Sequence, residues 1–416
     1  MIRSIPNPPM ERDDIERFHL NLEKHLRDQL IPRLGAAAGI KLYLISLNYD
    51  SLDIQKNKTD FGVEYKIPAI ARGNWRANGG LICPILRTYI NDNKNNVFIV
   101  NHSPCSMFIS ALREAFPNSK VVFVIHDQGW CAPLMGSKEL LKQIMGSNST
   151  PDNISDDIVN TVKNYCKEEQ SIYEMVDAVI CLSPSTEEIL KNIYAVSPEK
   201  IYHIPNGYTA ENIKTYCKQE ARHAIGLKAE EKLLIFAGRP AAYKGIEATL
   251  MAFNHIKDKH NIRCVFCGSM DGFGKFSDQL LPIAHIVTFT GQLNKEELYK
   301  WYNAADVGLM PSYSEQFGYS AIEMISQGLP LVVSDGNGLR DMFTDGQDAY
   351  VAHIGDVTNV DEFAQNLANQ IDKVLTTSQE EITRINERAQ SNILNKYTTE
   401  SMAKSYIKLS QQITHL

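Results

Sequence analysis

PSYSEQFGYSAIE, residues 311–323, joins a short apolar strand to the start of a predicted helix. The strand, Val307–Met310, comes directly before it, and Gly328 and Pro330 separate the helix from another apolar strand, Leu331–Ser334. A helix that begins at the carboxyl end of a strand presents free backbone N–H groups and the positive end of its dipole. These are the features of an anion site, and above all of a phosphate site.

Two carboxylates, Glu315 and Glu323, belong to this stretch. If both lay on one helix they would differ by about 80° and could face the same side. A solvated helix face is the alternative interpretation, but Glu323 has apolar neighbours, and a carboxylate there needs hydrogen-bonding partners. A carboxylate beside a phosphate site is suited to accept hydrogen bonds from hydroxyl groups. The combination of an anion and a polyol describes a nucleotide sugar, which is the ligand class that the pattern indicates.

A second charged loop follows the predicted strand Lys232–Ala237. Gly238 ends the strand, Arg239 comes next, and Lys244 precedes Gly245. An arginine fork and a lysine ammonium on one strand-end loop suit a diphosphate. Solvated surface cations are the alternative interpretation, and the two glycines favour the phosphate interpretation.

Other candidate residues carry weaker signals. His126 follows a strongly apolar strand, where the carboxyl end of a parallel strand would bring it to a ligand; a core histidine is the alternative. Cys264 and Cys267 have the spacing of half a metal site or of a redox pair, but they lie in an apolar strand, and we predict buried packing. The sequence has no Asp-x-Asp pair, so nothing in it indicates a carboxylate-bound Mg²⁺ or Mn²⁺.

The whole chain alternates short apolar strands with longer amphipathic helices. Strands that are apolar throughout are typical of parallel sheets covered on both faces, and the repeated strand–helix unit predicts an α/β fold with doubly wound sheets. A chain of 416 residues is too long for one core, so two domains are expected. The predicted strands are Lys41–Leu47, Asn96–Asn101, Lys120–Ile125, Ala178–Leu182, Ile201–Ile204, Lys232–Ala237, Arg263–Gly268, Ile286–Thr290, Val307–Met310 and Leu331–Ser334.

A turn signal at Ile204–Gly207 indicates the boundary between the two domains. We predict an N-terminal Rossmann-like domain over residues 1–203 on the acceptor side and a C-terminal domain over residues 204–396 that binds the nucleotide sugar. A terminal helix over about residues 397–416 is expected to pack back on the N-terminal domain.

Composition narrows the functional class. Hydrophobic residues make up 44% and charged residues 22% of the chain, as in soluble globular proteins. The net charge of −7 argues against nucleic acid as the main partner. No apolar run approaches the ~20 residues that span a bilayer, and the N-terminus lacks the apolar core of a signal peptide. The eight cysteines are few, which favours the cytoplasm.

These motifs resemble those of the retaining GT-B glycosyltransferases of family GT4, the glycosyl transferases group 1 enzymes. The resemblance covers nearly the whole chain, and it implies two doubly wound, Rossmann-like domains that face a central cleft. The matching segments are the Glu-x₇-Glu signature at Glu315 and Glu323, Gly238-Arg239, Lys244-Gly245, the linker Ile204–Gly207, and residues 328–341.

The resemblance implies a metal-independent, hexosyltransferase-type enzyme of class EC 2.4 in polysaccharide or glycoconjugate biosynthesis. It would move a sugar, with retention, from a nucleotide diphosphate sugar to a hydroxyl of a glycan, a lipid-linked glycan or a peptide. A UDP-sugar is the favoured donor, and no cofactor is expected. The expected location is cytoplasmic, with peripheral contact at the inner membrane face. The alternatives are a catalytically silent nucleotide-sugar-binding partner subunit and another GT-B enzyme, such as a phosphorylase or an epimerase.

The resemblance also implies roles for individual residues. Arg239 and Lys244 would bind the leaving diphosphate, Glu315 would hold hydroxyls of the transferred sugar, and Glu323 would hold the ribose. His126 would face the reaction centre or the acceptor. The other implied substrate-binding residues are Gly238, Gly268, Gly291, Gln316, Phe317, Gly318 and Tyr319.

One loop departs from the family pattern. Asp13 and Asp14 stand where the family has a glycine pair, and side chains there hinder a close approach of the backbone to donor phosphates. We therefore leave this loop out of the predicted site. The departure is the feature that favours the silent-subunit alternative.

Overall fold

The computed structural model describes residues 30–35, 41–49, 53–60, 62–68, 75–101, 106–146, 154–209, 216–228 and 230–414. The Asp13–Asp14 loop lies outside the described residues. Within the described ranges, none of the helices combines the length and the apolar character needed to cross a membrane.

The described strands and helices alternate over the middle of the chain, between β3 and the last strands. The strands are β1 Leu42–Tyr49, β2 Gln55–Thr59, β3 Gly62–Pro68, β4 Val97–Val100, β5 Lys120–Val124, β6 Ala178–Cys181, β7 Ile201–His203, β8 Lys232–Ala237, β9 Ile262–Cys267, β10 Val287–Gly291, β11 Val307–Met310, β12 Leu331–Ser334 and β13 Tyr350–Ala352. The helices are α1 Ile31–Gly35, α2 Trp75–Tyr89, α3 Ser106–Ala115, α4 Lys138–Gly146, α5 Asp156–Met175, α6 Pro184–Asn192, α7 Lys218–Ala224, α8 Ile246–Ile256, α9 Ser277–Leu280, α10 Lys295–Ala304, α11 Tyr319–Ser326, α12 Val360–Thr376, α13 Gln379–Ala389 and α14 Thr399–Thr414.

The chain divides into two compact units. The C-terminal unit contains Ala210–Lys396 and also Trp130–Gly146, a segment that comes from the first half of the sequence. The N-terminal unit contains Arg3–Gly129, Ser147–Thr209 and Tyr397–Leu416, so far as these residues are described. Each unit therefore includes chain from more than one part of the sequence.

The C-terminal unit contains a six-stranded sheet in the order β10-β9-β8-β11-β12-β13. All five strand pairings are parallel. From β8 the chain builds outward through β9 and β10, and it then returns to add β11 on the other side of β8. This reversal makes the gap between β8 and β11 a topological switch point, which is where open α/β sheets bind their ligands.

The core of the C-terminal unit explains why its strands are apolar throughout. Helices α8 and α12 cover one face, and their buried side chains join those of β8, β9 and β11 in one cluster. On β11, a side chain at Gly308 would collide with Met324 and Leu331, so the glycine lets α11 approach the sheet closely. Asn294 caps α10 in a capping box with Glu297, which fixes where that helix begins.

The N-terminal unit contains a four-stranded parallel sheet in the order β4-β5-β6-β7 and a three-stranded sheet in the order β1-β3-β2. In the smaller sheet, β2 and β3 form an antiparallel hairpin and β3 pairs with β1 in parallel. Before α14, Tyr208 N–H donates to the Tyr397 carbonyl at 2.7 Å. Helix α14 belongs to this unit together with α1.

The predicted α/β class with parallel sheets is confirmed. All ten predicted strands are present; three have the predicted bounds, and the ends of the others shift by at most two residues. The sequence did not reveal the hairpin β2–β3 or the short edge strand β13.

Candidate functional site

The loops that follow β8 and β11 meet at the switch point of the C-terminal sheet. Tyr313 N–H donates to the Tyr243 carbonyl at 2.8 Å, which joins the two loops through their backbones. Gly245 has φ 74°, and a side chain there would overlap the Pro311 carbonyl oxygen. Only glycine combines this left-handed conformation with so close a contact. The sequence Lys244-Gly245 thus fixes the lysine at the edge of the sheet.

Lys244 and Glu315 form an ion pair across these two loops. The Lys244 Nζ–Glu315 Oε1 distance is 2.6 Å, and the side chains are 17% and 11% exposed. Burial alone would lower the pKa of Lys244, but the neighbouring Glu315 carboxylate and the Tyr243 hydroxyl outweigh it and raise that pKa above its usual value. The lysine therefore stays an ammonium at neutral pH.

Glu315 lies in the loop between β11 and α11, not on the helix. The argument from helical spacing that would place it on one face with Glu323 is therefore wrong, because α11 begins only at Tyr319. Ser312 Oγ donates to Glu315 Oε1 at 2.7 Å, and Glu315 N–H donates to the Asn337 carbonyl at 2.9 Å. Among the described residues, both hydrogen bonds to the carboxylate fall on Oε1, so Oε2 is left to accept from a ligand.

Three glycines predicted separately come together at the carboxyl ends of β8, β9 and β10. Gly238 N–H donates to the Cys267 carbonyl, and Gly268 N–H donates to the Gly291 carbonyl, both at 3.0 Å. Gly268 has φ 145°, and a side chain there would overlap the Gly238 carbonyl oxygen. Gly291 also has positive φ, at 70°. The result is an edge of bare backbone that a ligand can approach closely.

The N-terminus of α11 faces the same edge. Gly318 is the N-cap with φ 66°, and its carbonyl accepts from Ala321 N–H at 3.0 Å. The N–H groups of the first helical turn have no partner within a helix, and they carry the positive end of its dipole. Phe317 is buried and its ring packs edge-on against Tyr319 at 5.0 Å, whereas Gln316 is half-buried in the loop.

Glu323 lies on α11 and is 17% exposed. Its apolar neighbours are buried, as the sequence predicted. Burial raises the pKa of Glu323, and Lys295 Nζ at 3.2 Å partly opposes that increase. Lys295 is the first residue of α10, shortly after Gly291, and the sequence reasoning missed it. The capping box that starts α10 after a strand was the available signal.

Arg239 follows Gly238, and its guanidinium Nη2 lies 3.3 Å from the Tyr243 hydroxyl. Tyr243 is a further residue that the sequence reasoning missed. Its ring lies 4.9 Å from Lys244 Nζ, and its hydroxyl contacts Arg239. The tyrosine therefore contacts both cations and lies between them. Ser312 and Asn337, which hold Glu315, were missed as well.

His126 belongs to the N-terminal unit and follows β5. Its Nε2 lies 3.4 Å from Asn101 Oδ1, at the end of the neighbouring strand β4. Burial lowers the pKa of His126 to about 4, so the imidazole is neutral at neutral pH. A neutral imidazole can donate or accept one proton, which suits contact with a hydroxyl group.

The segment Trp130–Gly146 brings a part of the first half of the sequence to the Glu315 loop. Asn337 Nδ2 donates to the Gly136 carbonyl at 2.6 Å, and Ser314 Oγ donates to Cys131 Sγ at 3.6 Å. Gly136 has φ 70°, and its Cβ would lie 2.8 Å from Ser314 Cβ. This segment therefore contacts Ser314, which precedes Glu315, and Asn337, whose carbonyl accepts from the Glu315 N–H.

Other features of the described residues bear on cofactors. Cys264 and Cys267 are buried in β9, as the packing interpretation predicted. Across the described ranges, no three His, Cys, Asp or Glu side chains gather in a way that would hold a metal ion.

Profiles of glycosyltransferase families match both halves of the chain. The glycosyl transferases group 1 profile matches residues 218–392, and the Glycosyltransferase Family 4 profile matches residues 29–212. The chain belongs to the glycosyl transferases group 1 family. This family assignment agrees with the resemblance carried by Lys244, Glu315 and Glu323.

One curated relative is the glycosyltransferase MJ1607 of Methanocaldococcus jannaschii, which is 34% identical over 184 residues. That alignment covers 43% of this chain and 47% of the relative. The chain spans about half the length of the curated relatives that it matches first.

Several solved structures share the fold over most of this chain. Sucrose-phosphate synthase from Thermosynechococcus elongatus has a TM-score of 0.71 at 21% identity, over 95% of this chain and 94% of that one. Anabaena Alr3699/HepE, solved in complex with UDP and glucose, has a TM-score of 0.59 at 15% identity, over 85% and 86% of the two chains. At these identities the likeness shows the fold alone.

Proposed function

We propose that this protein transfers a sugar from a nucleotide diphosphate sugar to an acceptor hydroxyl, with retention at the anomeric carbon and without a metal ion. The Lys244–Glu315 pair at the switch point between β8 and β11 carries the proposal. It puts a cation suited to phosphate and a carboxylate suited to sugar hydroxyls within one hydrogen bond of each other. The family membership and the UDP and glucose bound to Anabaena Alr3699/HepE support the same ligand class.

The pair can act on both parts of the donor at once. An ammonium has three protons, and only one is used by Glu315, so Lys244 can donate to phosphate while the pair stays intact. Arg239, on the same loop, adds a planar fork suited to the second phosphate. Glu315 Oε2 can accept from a hydroxyl of the transferred sugar. This arrangement would fix the sugar beside its leaving group.

Two other parts of the edge would bind the rest of the donor. The N-terminal turn of α11 would donate backbone N–H groups to phosphate, as helix N-termini do. The bare backbone at Gly238, Gly268 and Gly291 would leave room for the nucleoside. Glu323 would accept from the ribose hydroxyls while Lys295 balances its charge.

The transfer step would proceed on one face of the sugar. The bond between the anomeric carbon and the phosphate oxygen breaks, and its electron pair stays on the phosphate. The acceptor oxygen bonds to the same face, and its proton passes to the leaving phosphate. Lys244 and Arg239 stabilise the charge that develops on that phosphate, which is the main electrostatic task of the protein.

Donor binding and turnover test this proposal. We expect a UDP-, GDP- or ADP-sugar to raise the melting temperature, and the same sugar to be consumed by transfer or slow hydrolysis. Lys244→Ala should abolish both effects. The matched control is Lys232→Ala, at the exposed first residue of β8, which should change neither. Turnover equal to wild type in Lys244→Ala would contradict the proposal.

Two further outcomes separate the alternatives. Binding without any turnover would favour the silent partner subunit. Loss of activity in EDTA that added metal restores would contradict the metal-free mechanism.

A further inference from the structure

The turn His126–Gly129 is anchored to helix α5 from behind. Gly129 N–H donates to Glu169 Oε1 at 2.6 Å. The other carboxylate oxygen, Oε2, accepts from the Tyr194 hydroxyl. A carboxylate with two donors, one of them the backbone of the turn, holds that turn in a single position.

Two tyrosines continue this contact along the same face of α5. Tyr165, Glu169 and Tyr173 are spaced four residues apart, so they form one stripe on the helix. The Cβ of a side chain at Gly129 would lie 2.5 Å from Tyr165 Cγ. Gln128 Nε2 lies 3.5 Å from the Tyr173 hydroxyl. Of these contacts, the hydrogen bond that Glu169 accepts from the Gly129 N–H is the short one, and it is charge-assisted when Glu169 is ionised.

We propose that Glu169 is a positioning residue of the transfer reaction, which fixes the His126 turn through the Gly129 amide. The inference rests on the proposed function and on the role that the family resemblance implies for His126, which is to face the reaction centre or the acceptor. Gly129 is also the last residue of the N-terminal unit before the chain enters Trp130–Gly146. Glu169 therefore holds the turn at the point where the chain leaves that unit.

The anchor is sensitive to pH near neutrality. Burial raises the pKa of Glu169 to about 7, the bonds from Tyr194 and Gly129 oppose the increase, and the Asp127 carboxylate adds to it. When ionised, Glu169 accepts from both donors. When protonated it must donate to Tyr194, whose hydroxyl can turn to Cys166 Sγ at 3.4 Å, and the amide then bonds to a neutral carboxyl.

Three groups near the turn titrate away from pH 7. Burial lowers the pKa of His126 to about 4 and raises that of Cys166 to about 12. The pKa of Tyr194 is raised well above its usual value, chiefly by burial. A change in rate near pH 7 that disappears when Glu169 is replaced can therefore be assigned to this carboxyl.

Two substitutions separate the anchor from the charge. Glu169→Gln keeps an oxygen that accepts from Gly129, whereas Glu169→Leu has a similar volume and no acceptor. We expect Glu169→Leu to lower kcat by about 10–100-fold with little change in KM for the donor, because a small displacement of a residue that positions a substrate can cost this much. Glu169→Gln should stay within about threefold of wild type at pH 8.

The pH profile adds a second readout. Wild-type kcat should rise as pH increases through 7, since ionisation strengthens the anchor, and Glu169→Gln should lack that rise. Glu174→Gln, an exposed change of the same charge on the same helix, is the control and should keep the wild-type profile. Wild-type kcat and pH profile in Glu169→Leu would overturn the inference.

Amide hydrogen exchange tests the anchor without turnover. We expect Glu169→Leu to speed exchange across residues 126–131 by at least about tenfold, and Glu169→Gln to leave it near wild type. Unchanged exchange in Glu169→Leu would overturn the anchor whatever the kinetics show. If wild-type protein turned over no donor while exchange changed as expected, the proposed function would fail and the anchor would stand.

Discussion

Two strand-end turns of this protein are held in different ways. In the C-terminal unit, the loop that carries Glu315 is held by neighbouring loops of the same sheet edge, through Lys244 and Asn337. In the N-terminal unit, the turn that carries His126 is held from behind by the side chains of α5, chiefly Glu169. The first turn therefore depends on contacts within one edge, and the second depends on a helix packed beneath it.

The two turns also differ in charge. Lys244 and Glu315 form an ion pair of which each partner is at most 17% exposed, and the pair raises the pKa of the lysine. Burial keeps His126 neutral, with a pKa of about 4. A charged edge is suited to a pyrophosphate, and a neutral imidazole is suited to hydroxyl groups. The comparison predicts that substitutions at the charged edge act on the rate far more strongly than substitutions around the neutral turn.

Glu315→Gln should give the largest effect. The amide keeps the shape but loses the charge that pairs with Lys244 and that accepts from sugar hydroxyls, so we expect kcat to fall by about 10²–10³-fold. Turnover at saturating donor measures it. Glu296→Gln removes an exposed carboxylate from α10 and should leave the rate within about twofold. A Glu315→Gln enzyme within threefold of wild type would remove the carboxylate from the proposed site.

Alanine at two glycines compares the rigidity of the charged edge, at Gly268, with that of the His126 turn, at Gly129. A Cβ at Gly268 would overlap a backbone carbonyl and φ is 145°, so we expect Gly268→Ala to lower the free energy of unfolding by about 2–3 kcal/mol. At Gly129 the Cβ would meet Tyr165, a ring 42% exposed that can turn toward solvent, and about 1 kcal/mol is expected.

Denaturant unfolding measures both changes. Gly274→Ala is the control, because nothing lies within 4 Å of its added Cβ, and its effect should stay within about 0.5 kcal/mol. If Gly129→Ala cost as much as Gly268→Ala, the N-terminal turn would be as rigid as the charged edge, and the contrast between the two turns would be lost.

The sequence predicted the strands that are apolar and buried along their whole length. β8, β9, β11 and β12 read as apolar runs because helices cover both faces of a parallel sheet. The hairpin β2–β3 was missed because β2 reads QKNKT and is largely exposed, so no apolar pattern marks it. β13, a three-residue edge strand, was missed as well. A strand without an apolar pattern of its own can be recognised only from its pairing with a neighbouring strand.

The same limit applies to the site. Gly238 and Gly268 could be proposed because they lie at the ends of apolar strands, and Gly291 could be proposed from the family resemblance. The contacts among the three depend on the strand order of the sheet. The contribution of Trp130–Gly146 to the Glu315 loop depends on a close fit between Gly136 and Ser314. Residues so distant in sequence leave no common periodic signal, so only the folded structure reveals such a contact.

The smallest expected effect concerns Glu323, which completes the charged edge. Because its pKa is raised in the folded protein, the stability that this carboxyl contributes is fully present below about pH 4.5 and is lost as pH rises through the folded pKa. Glu323→Gln should therefore make the free energy of unfolding depend less on pH. Lys295→Met removes a partner that is 62% exposed and should cost less than about 1 kcal/mol at pH 7, with Lys300→Met as the control on the same helix. Unfolding in denaturant between pH 4 and 8 measures both. If the free energy of unfolding depended on pH in the same way in Glu323→Gln and in wild type, burial would not be opposing the ionisation of this carboxyl.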